Sequence, residues 1–251
     1  MNPLHSITRR LAATLLIALP AITFVAPLSA RADFPQPPAA YFPNLPDHAA
    51  APEGFLKPGL KLEKVAKGDL NGDLLPDLAM IIRMDDPKNV LRDPEDAERE
   101  PLDTNPRMIA IAMADKAGGY TLDAVNLSMI PRQEDPFMND PFTDLSIDKG
   151  AVKLMLEQSS NAGSWGNVNF TFTFRKRGQD VALVGFDRTD LNRASGEMVE
   201  TSVNFLTGKQ IVSTGNVSSD KTTKKLSQLP KRALPTLGFM GDAFSFDPKN
   251  P

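Results

Sequence analysis

The chain predicts a mainly β fold, an antiparallel meander or sandwich-like single domain with a Pro-rich N-terminal segment and few short helices. Three observations carry that expectation. Val152, Leu154 and Leu156 alternate with Lys153 and Glu157, and Val168, Phe170, Phe172 and Phe174 alternate with Asn169, Thr171 and Thr173, the period of two shown by half-buried strands. Turn residues punctuate such runs at Gly118-Gly119, Arg177-Gly178-Gln179-Asp180 and Thr207-Gly208. Helix signals are scarce, the best being Thr222 to Leu229, closed by Pro230.

Residues 1–32 read as a secretory signal peptide. A basic start at Arg9 and Arg10, an apolar run from Leu11 to Leu28 and a small-residue exit at Ala30-Arg31-Ala32 fit cleavage before Asp33. Pro20 and Pro27 interrupt the run and argue against an uncleaved anchor. Thr8-Arg9-Arg10 also hints at a twin-arginine route, against which Ala12 and Ala13 stand. The expected address is periplasmic or secreted, with no membrane span after signal cleavage, because no other stretch approaches the roughly 18 apolar residues a span needs.

With no cysteine, the chain can form no disulfide, no thiolate zinc site and no lipid anchor through an N-terminal thiol. Its net charge of −3 becomes more negative once the Arg-bearing leader is removed. That balance argues against nucleic acid, which is held by clustered Lys and Arg. The one basic cluster, Lys221 to Arg232, reads as a solvated tail segment. A monomer is expected, and the partner is unknown.

Removal of the leader leaves about 220 residues, the size of one domain. Residues 33–58 are dense in proline (Pro35, Pro37, Pro38, Pro43, Pro46, Pro52), which excludes regular helix and fits a linker or a surface strap. The β-rich domain follows over 59–240. Within it, Leu78 to Ile82 is a short continuous apolar run, a buried-strand signal. An acidic, proline-broken insertion over 85–106 reads as a mobile loop. Met108 to Ala114 and Tyr120 to Val125 flank Gly118-Gly119 as a hairpin, and a meander of strands runs from residue 151 to 213. Residues 241–251 read as a C-terminal tail.

Asp69-Leu70-Asn71-Gly72-Asp73-Leu74-Leu75-Pro76-Asp77 is the stretch whose spacing looks set by chemistry. A hard dication takes six to eight oxygen ligands at about 2.3–2.6 Å. A tight turn with acidic or amide side chains at positions one, three, five and nine can aim Asp69, Asn71, Asp73 and Asp77 at one centre, with the Leu75 carbonyl as a fifth oxygen. The competing reading is a metal-free turn, since Asp, Asn and Gly are turn residues in any case. Three carboxylates turned inward repel one another, and a cation relieves that repulsion.

Gly68-Asp69-Leu70-Asn71-Gly72-Asp73, Pro76-Asp77-Leu78 and the strand Ala79 to Ile82 resemble the calcium-binding segment of FG-GAP, or VCBS, repeats of integrin-alpha-like propellers. The resemblance implies Ca2+ as a structural cofactor, held by Asp69, Asn71, Asp73, the Leu75 carbonyl and Asp77. It covers about fifteen residues, and one copy cannot build a propeller of four to eight blades. Leu74 departs from the glycine common at that position, where a left-handed backbone costs a side chain on the order of 1 kcal/mol. Asp140 to Ile147, Gly163-Ser164-Trp165 and Thr201 to Lys209 resemble exported bacterial proteins of uncharacterised role that carry one such loop before a β-rich half.

Catalytic constellations are thin. A serine nucleophile needs a nearby base, and His48 is the one histidine beyond the leader. Ser159, Ser160 and Ser164 therefore read as a turn, with Trp165 packed on an adjacent strand. Asp135, Asp140, Asp144 and Asp187 are candidates for a glycosidase carboxylate pair, and the first three alternatively for a second cation site, but one Trp and two Tyr offer few sugar platforms. Glycine patterns for phosphate binding are absent, and Met108, Met113, Met129, Met138, Met155 and Met198 read as core fillers. The chain is thus expected to be an exported non-enzymatic β-rich protein of unknown biochemical role that binds one structural calcium ion. The alternatives are a weak carboxylate-dependent hydrolase of the glycoside type and a binding module with an empty loop.

Overall fold

The computed structural model describes residues 34–162 and 164–251; the leader expected over 1–32, Asp33 and Gly163 lie outside them. The first half of the chain contributes β1 (His48–Ala49), β2 (Leu60–Gly68), β3 (Asp77–Met84), β4 (Val90–Leu91), β5 (Leu102–Asp103), β6 (Arg107–Ala114) and β7 (Tyr120–Asn126). The second half contributes β8 (Phe142–Asp148), β9 (Ala151–Ser159), β10 (Gly166–Arg177), β11 (Asp180–Asn192), β12 (Glu197–Asn204), β13 (Lys209–Asn216) and β14 (Ser219–Gln228). The pairings are antiparallel. One sheet has five strands in the order β1-β7-β6-β3-β2, and the other is a seven-stranded meander from β8 to β14.

The apolar run of β3 is continuous because both faces of its strand are covered. Ala79 and Ile81, with Ile109 and Ile111 of β6, point into the core shared with the seven-stranded sheet. Leu78, Met80 and Ile82, with Met108, Ala110 and Ala112, point the other way. There the Pro-rich segment lies across them as a strap, burying Phe55 and packing Phe42 and Leu45. Proline suits a segment that covers a sheet face without joining a central ladder.

In the larger sheet, Val152, Leu154, Leu156, Phe170, Phe172 and Phe174 all face the shared core. β11 keeps this phase through a bulge: Thr173 pairs with Gly185 but Phe174 with Leu183, which leaves Val184 as the extra residue. Leu183 and Phe186 can then both face inward although three positions apart. The final residues 241–251 complete this face. Phe244 stacks on Phe170 at 5.1 Å, and Phe246 meets Phe172 and Phe186 edge-on at 5.4 and 5.0 Å.

Thr222 to Leu229 does not form a helix: all but its last residue lies in β14. The helix-forming Lys and Leu content loses to a ladder with β13, in which Thr214 pairs Thr223, Val212 pairs Lys225 and Ile211 pairs Leu226. Among the described residues the helices are single 3-10 turns at Pro52–Phe55, Pro87–Asn89, Leu237–Phe239 and Ala243–Ser245. The two ends of the acidic insertion are tied to the body of the fold. Asn89, Thr104 and Asn105 are buried, Asn89 Nδ2 donates to Asn105 Oδ1 at 2.9 Å, and Arg132 reaches Asn89 Oδ1 at 2.9 Å and the Pro38 carbonyl at 2.8 Å.

Candidate cation-binding turn

The acidic nonapeptide is the connection between β2 and β3, and two side chains pin it to the body of the fold. Leu70 inserts into the shared core. Asp77, fully buried, accepts the Leu70 N–H on Oδ2 at 2.7 Å and the Ala114 N–H on Oδ1 at 2.8 Å. The entry to the turn is equally constrained, since a side chain at Gly68 would stand 2.5 Å from Ile147 Cγ2.

Between these anchors the backbone winds around its own side chains. Asp69 accepts the N–H of Gly72 at 2.7 Å and that of Leu74 at 3.0 Å. Asn71 Oδ1 accepts the Asp73 N–H at 2.9 Å, and Asp73 Oδ1 accepts the Leu75 N–H at 2.9 Å. Asn71 Nδ2 donates to Asp73 Oδ2 at 3.2 Å. Gly72 (φ 87°) and Leu74 (φ 69°) both adopt the left-handed region, so the chain takes a glycine-type turn at Leu74 despite its side chain.

The electrostatics differ between rim and base. The Gly72 N–H, helped by that of Leu74, holds the Asp69 carboxyl below its ordinary value. Burial pushes the Asp77 carboxyl up against the pull of its two N–H donors, and the charges of Asp73 and Asp69 push the same way. The buried Asp77 carboxyl therefore feels the charges of both Asp73 and Asp69 across the turn.

These donors suit a hard cation. A carboxylate or amide oxygen has two lone pairs, and each N–H bond named above occupies one. The Leu75 carbonyl takes no hydrogen bond among the described residues. No group of three or more His, Cys, Asp or Glu side chains in a metal-holding arrangement occurs among the described residues; Asp69 and Asp73 stand at the surface while Asp77 is drawn beneath them.

Other sequence candidates are dispersed into structural pairings. Asp140 is held by both terminal nitrogens of Arg107 at 2.7 Å, and Arg107 also grips Glu63 at 2.6 and 2.8 Å. Burial works to lower the Arg107 pKa, but Glu63 and Asp140 outweigh it and hold the guanidinium above its ordinary value. Asp144 pairs with Lys64 at 2.7 Å, which holds its carboxyl low. Asp135 caps the Phe137 N–H, and Asp187 is exposed on β11.

His48 faces Thr121 Oγ1 at 3.0 Å, whereas Ser159 donates to Glu157 at 2.6 Å and Ser160 to the carbonyls of Phe137 and Ala162. Trp165, expected to pack on a neighbouring strand, is 66 % exposed; its segment is held instead by the backbone, the Arg193 N–H donating to its carbonyl at 2.8 Å. Met108 and Met129 are core residues, whereas Met155 is 39 % exposed.

Ala114 is the participant that spacing did not reveal. It stands 37 positions from Asp77, and only the β3–β6 pairing places its N–H there. Comparison of the chain with protein-family profiles, with curated proteins and with solved structures gives no match.

Proposed function

We propose that this chain is an exported, non-enzymatic β-rich binding or accessory module whose turn 69–77 takes one structural Ca2+. Asp69, Asn71, Asp73, the Leu75 carbonyl and Asp77 would hold the ion, which would neutralise three carboxylates gathered at one strand junction. The observation that carries the reading is Leu74 at φ 69°. A non-glycine residue held there costs on the order of 1–2 kcal/mol, and the turn adopts that shape with Asp69 accepting the N–H groups of Gly72 and Leu74.

The pairing of Asp140 with Arg107 and of Asp144 with Lys64 supports the non-enzymatic part. A glycosidase general acid needs a raised pKa, and Asp144 is shifted the other way. Calorimetric titration of the mature chain with Ca2+ tests the proposal. One site is expected, with a dissociation constant of roughly 10⁻⁴ to 10⁻³ M, lost in Asp69→Ala. Absence of saturable binding in the wild type up to about 10 mM, well above that range, overturns it.

A further inference from the structure

A second feature lies in another part of the fold and does not depend on the cation. The β12–β13 turn, the segment after β14, the end of β10 and the last residues of the chain border a partly open cavity of about 370 Å³. Phe205 and Leu229, both packed against the shared core, contribute its apolar wall, and Phe205 meets Phe246 edge-on at 6.3 Å. Four cations border it: Arg177, Lys231, Arg232 and Lys249.

No Asp or Glu side chain lines this cavity. Among the described residues no ion pair engages any of the four cations. Arg232 is held by Asn250 Oδ1 at 3.2 Å. Asp247, in the same C-terminal segment, turns to the Lys249 N–H and the Asn250 amide. Four positive charges around an apolar wall, against the single α-carboxylate of Pro251 at its border, run against the net charge of −3.

The wall itself is specifically built. Gln228 Nε2 donates to the Thr207 carbonyl at 2.6 Å, and the Leu229 N–H donates to the Gly208 carbonyl at 2.8 Å. This close approach needs Gly208: at φ +70° a Cβ there would lie 2.4 Å from Gln228 Nε2 and 3.0 Å from the Leu229 carbonyl oxygen.

We propose that this cavity binds a small amphipathic anion, with its apolar body against Phe205 and Leu229 and its acidic head among Arg177, Lys231, Arg232 and Lys249. Its volume falls within the roughly 300–1,000 Å³ of small-molecule sites. A cluster of one sign beside a low-dielectric wall concentrates the field on an incoming anion. A purely inorganic anion would leave the apolar wall uncovered, and a neutral apolar molecule would leave the cations unused.

The test uses the mature chain in chelator, so that the calcium reading plays no part, with decanoate as the anionic probe. Decyltrimethylammonium serves as a cationic control and phosphatidylglycerol vesicles as a membrane control. Saturable 1:1 binding of decanoate is expected, with none of the cation. The double variant Lys231→Glu/Arg232→Glu should weaken decanoate at least tenfold without changing the melting temperature, while Lys221→Glu on β14 should leave binding unaltered. Equal binding of the two amphiphiles, undiminished decanoate binding in the double variant, or binding to vesicles without binding to decanoate overturns the proposal.

Discussion

The Asp77 carboxylate bonds the Ala114 N–H at 2.8 Å across 37 positions of sequence. Through that contact the acidic turn is joined to the end of β6 as well as to its own strand. Asp77 also accepts from Leu70, so one buried side chain fixes the base of the turn from two directions. Because both partners are donors, the site requires an acceptor on each branch.

Asp77→Asn removes that symmetry, since an amide offers one oxygen and sets N–H against N–H on the other branch. The cost expected is about 2 kcal/mol for the buried donor left unsatisfied. A fall of roughly 4–8 °C in Tm in chelator, following the usual scaling for a chain of this size, checks it by thermal melting.

Leu74 and Gly72 share a left-handed backbone but differ in side chain, and their substitutions should move stability in opposite directions. Leu74 is 89 % exposed, so Leu74→Gly gives up little packing and relieves about 1–2 kcal/mol of backbone strain. The greater freedom of glycine in the unfolded chain returns about 0.5–1 kcal/mol. The variant should be as stable as wild type or more so in urea titrations, and should bind Ca2+ more tightly. Gly72→Ala has open space for its methyl group and should lose about 1 kcal/mol through strain alone.

Arg107, 4 % exposed, bridges Glu63 and Asp140 and lies over the Phe142 ring at 5.5 Å. Arg107→Met strands Asp140 and leaves Glu63 with only Arg83, 3.8 Å away. Glu63 and Asp140 are 25 and 42 % exposed and can rehydrate in part, which places the loss at about 2–3 kcal/mol, at or below the lower end for broken buried pairs. Urea denaturation measures it.

The acid limb of stability should carry a contribution from Asp103. Burial opposes its ionisation, but the backbone and side-chain N–H groups of Asn105 and the charge of Arg83 outweigh burial and hold its pKa below the ordinary 3.8. A depressed folded-state pKa gives stability that is present above the unfolded value and lost as pH falls through the folded one. The wild type should therefore exceed Asp103→Asn in Tm at neutral pH, and the gap should close as the pH falls below about 3.8, the unfolded reference value. A gap that widens on acidification contradicts this account.

Strand positions were legible in sequence wherever alternation or turn chemistry was local. The phenylalanines of β10 announced their buried face, and Gly118, Gly119 and Gly208 marked hairpins that the structure places at φ 93°, 99° and 70°. The two-faced burial of β3 was visible only as an unbroken apolar run, because the strap that covers its outer face lies far along the chain. β14 was misread because Lys and Leu favour helix while the deciding ladder bonds come from β13. Asn126 illustrates the same limit: its amide donates to the carbonyls of Leu237 and Met240, both at 2.7 Å and more than 100 positions away. In the acidic turn, spacing exposed the candidate ligands, and the resemblance to calcium loops exposed the left-handed demand at Leu74. It could not expose Ala114, nor the gathering of Arg177 and Lys249 beside Lys231 and Arg232.

Thermal melting of wild type and Asp73→Ala, each with excess Ca2+ and with chelator, tests the central claim most directly. Calcium at about ten times a dissociation constant of 10⁻³ M should add about 1.4 kcal/mol, or roughly 3–6 °C, to the wild type and nothing to the variant. Four coincident curves, or an equal calcium shift in both proteins, would contradict a structural ion at residues 69–77.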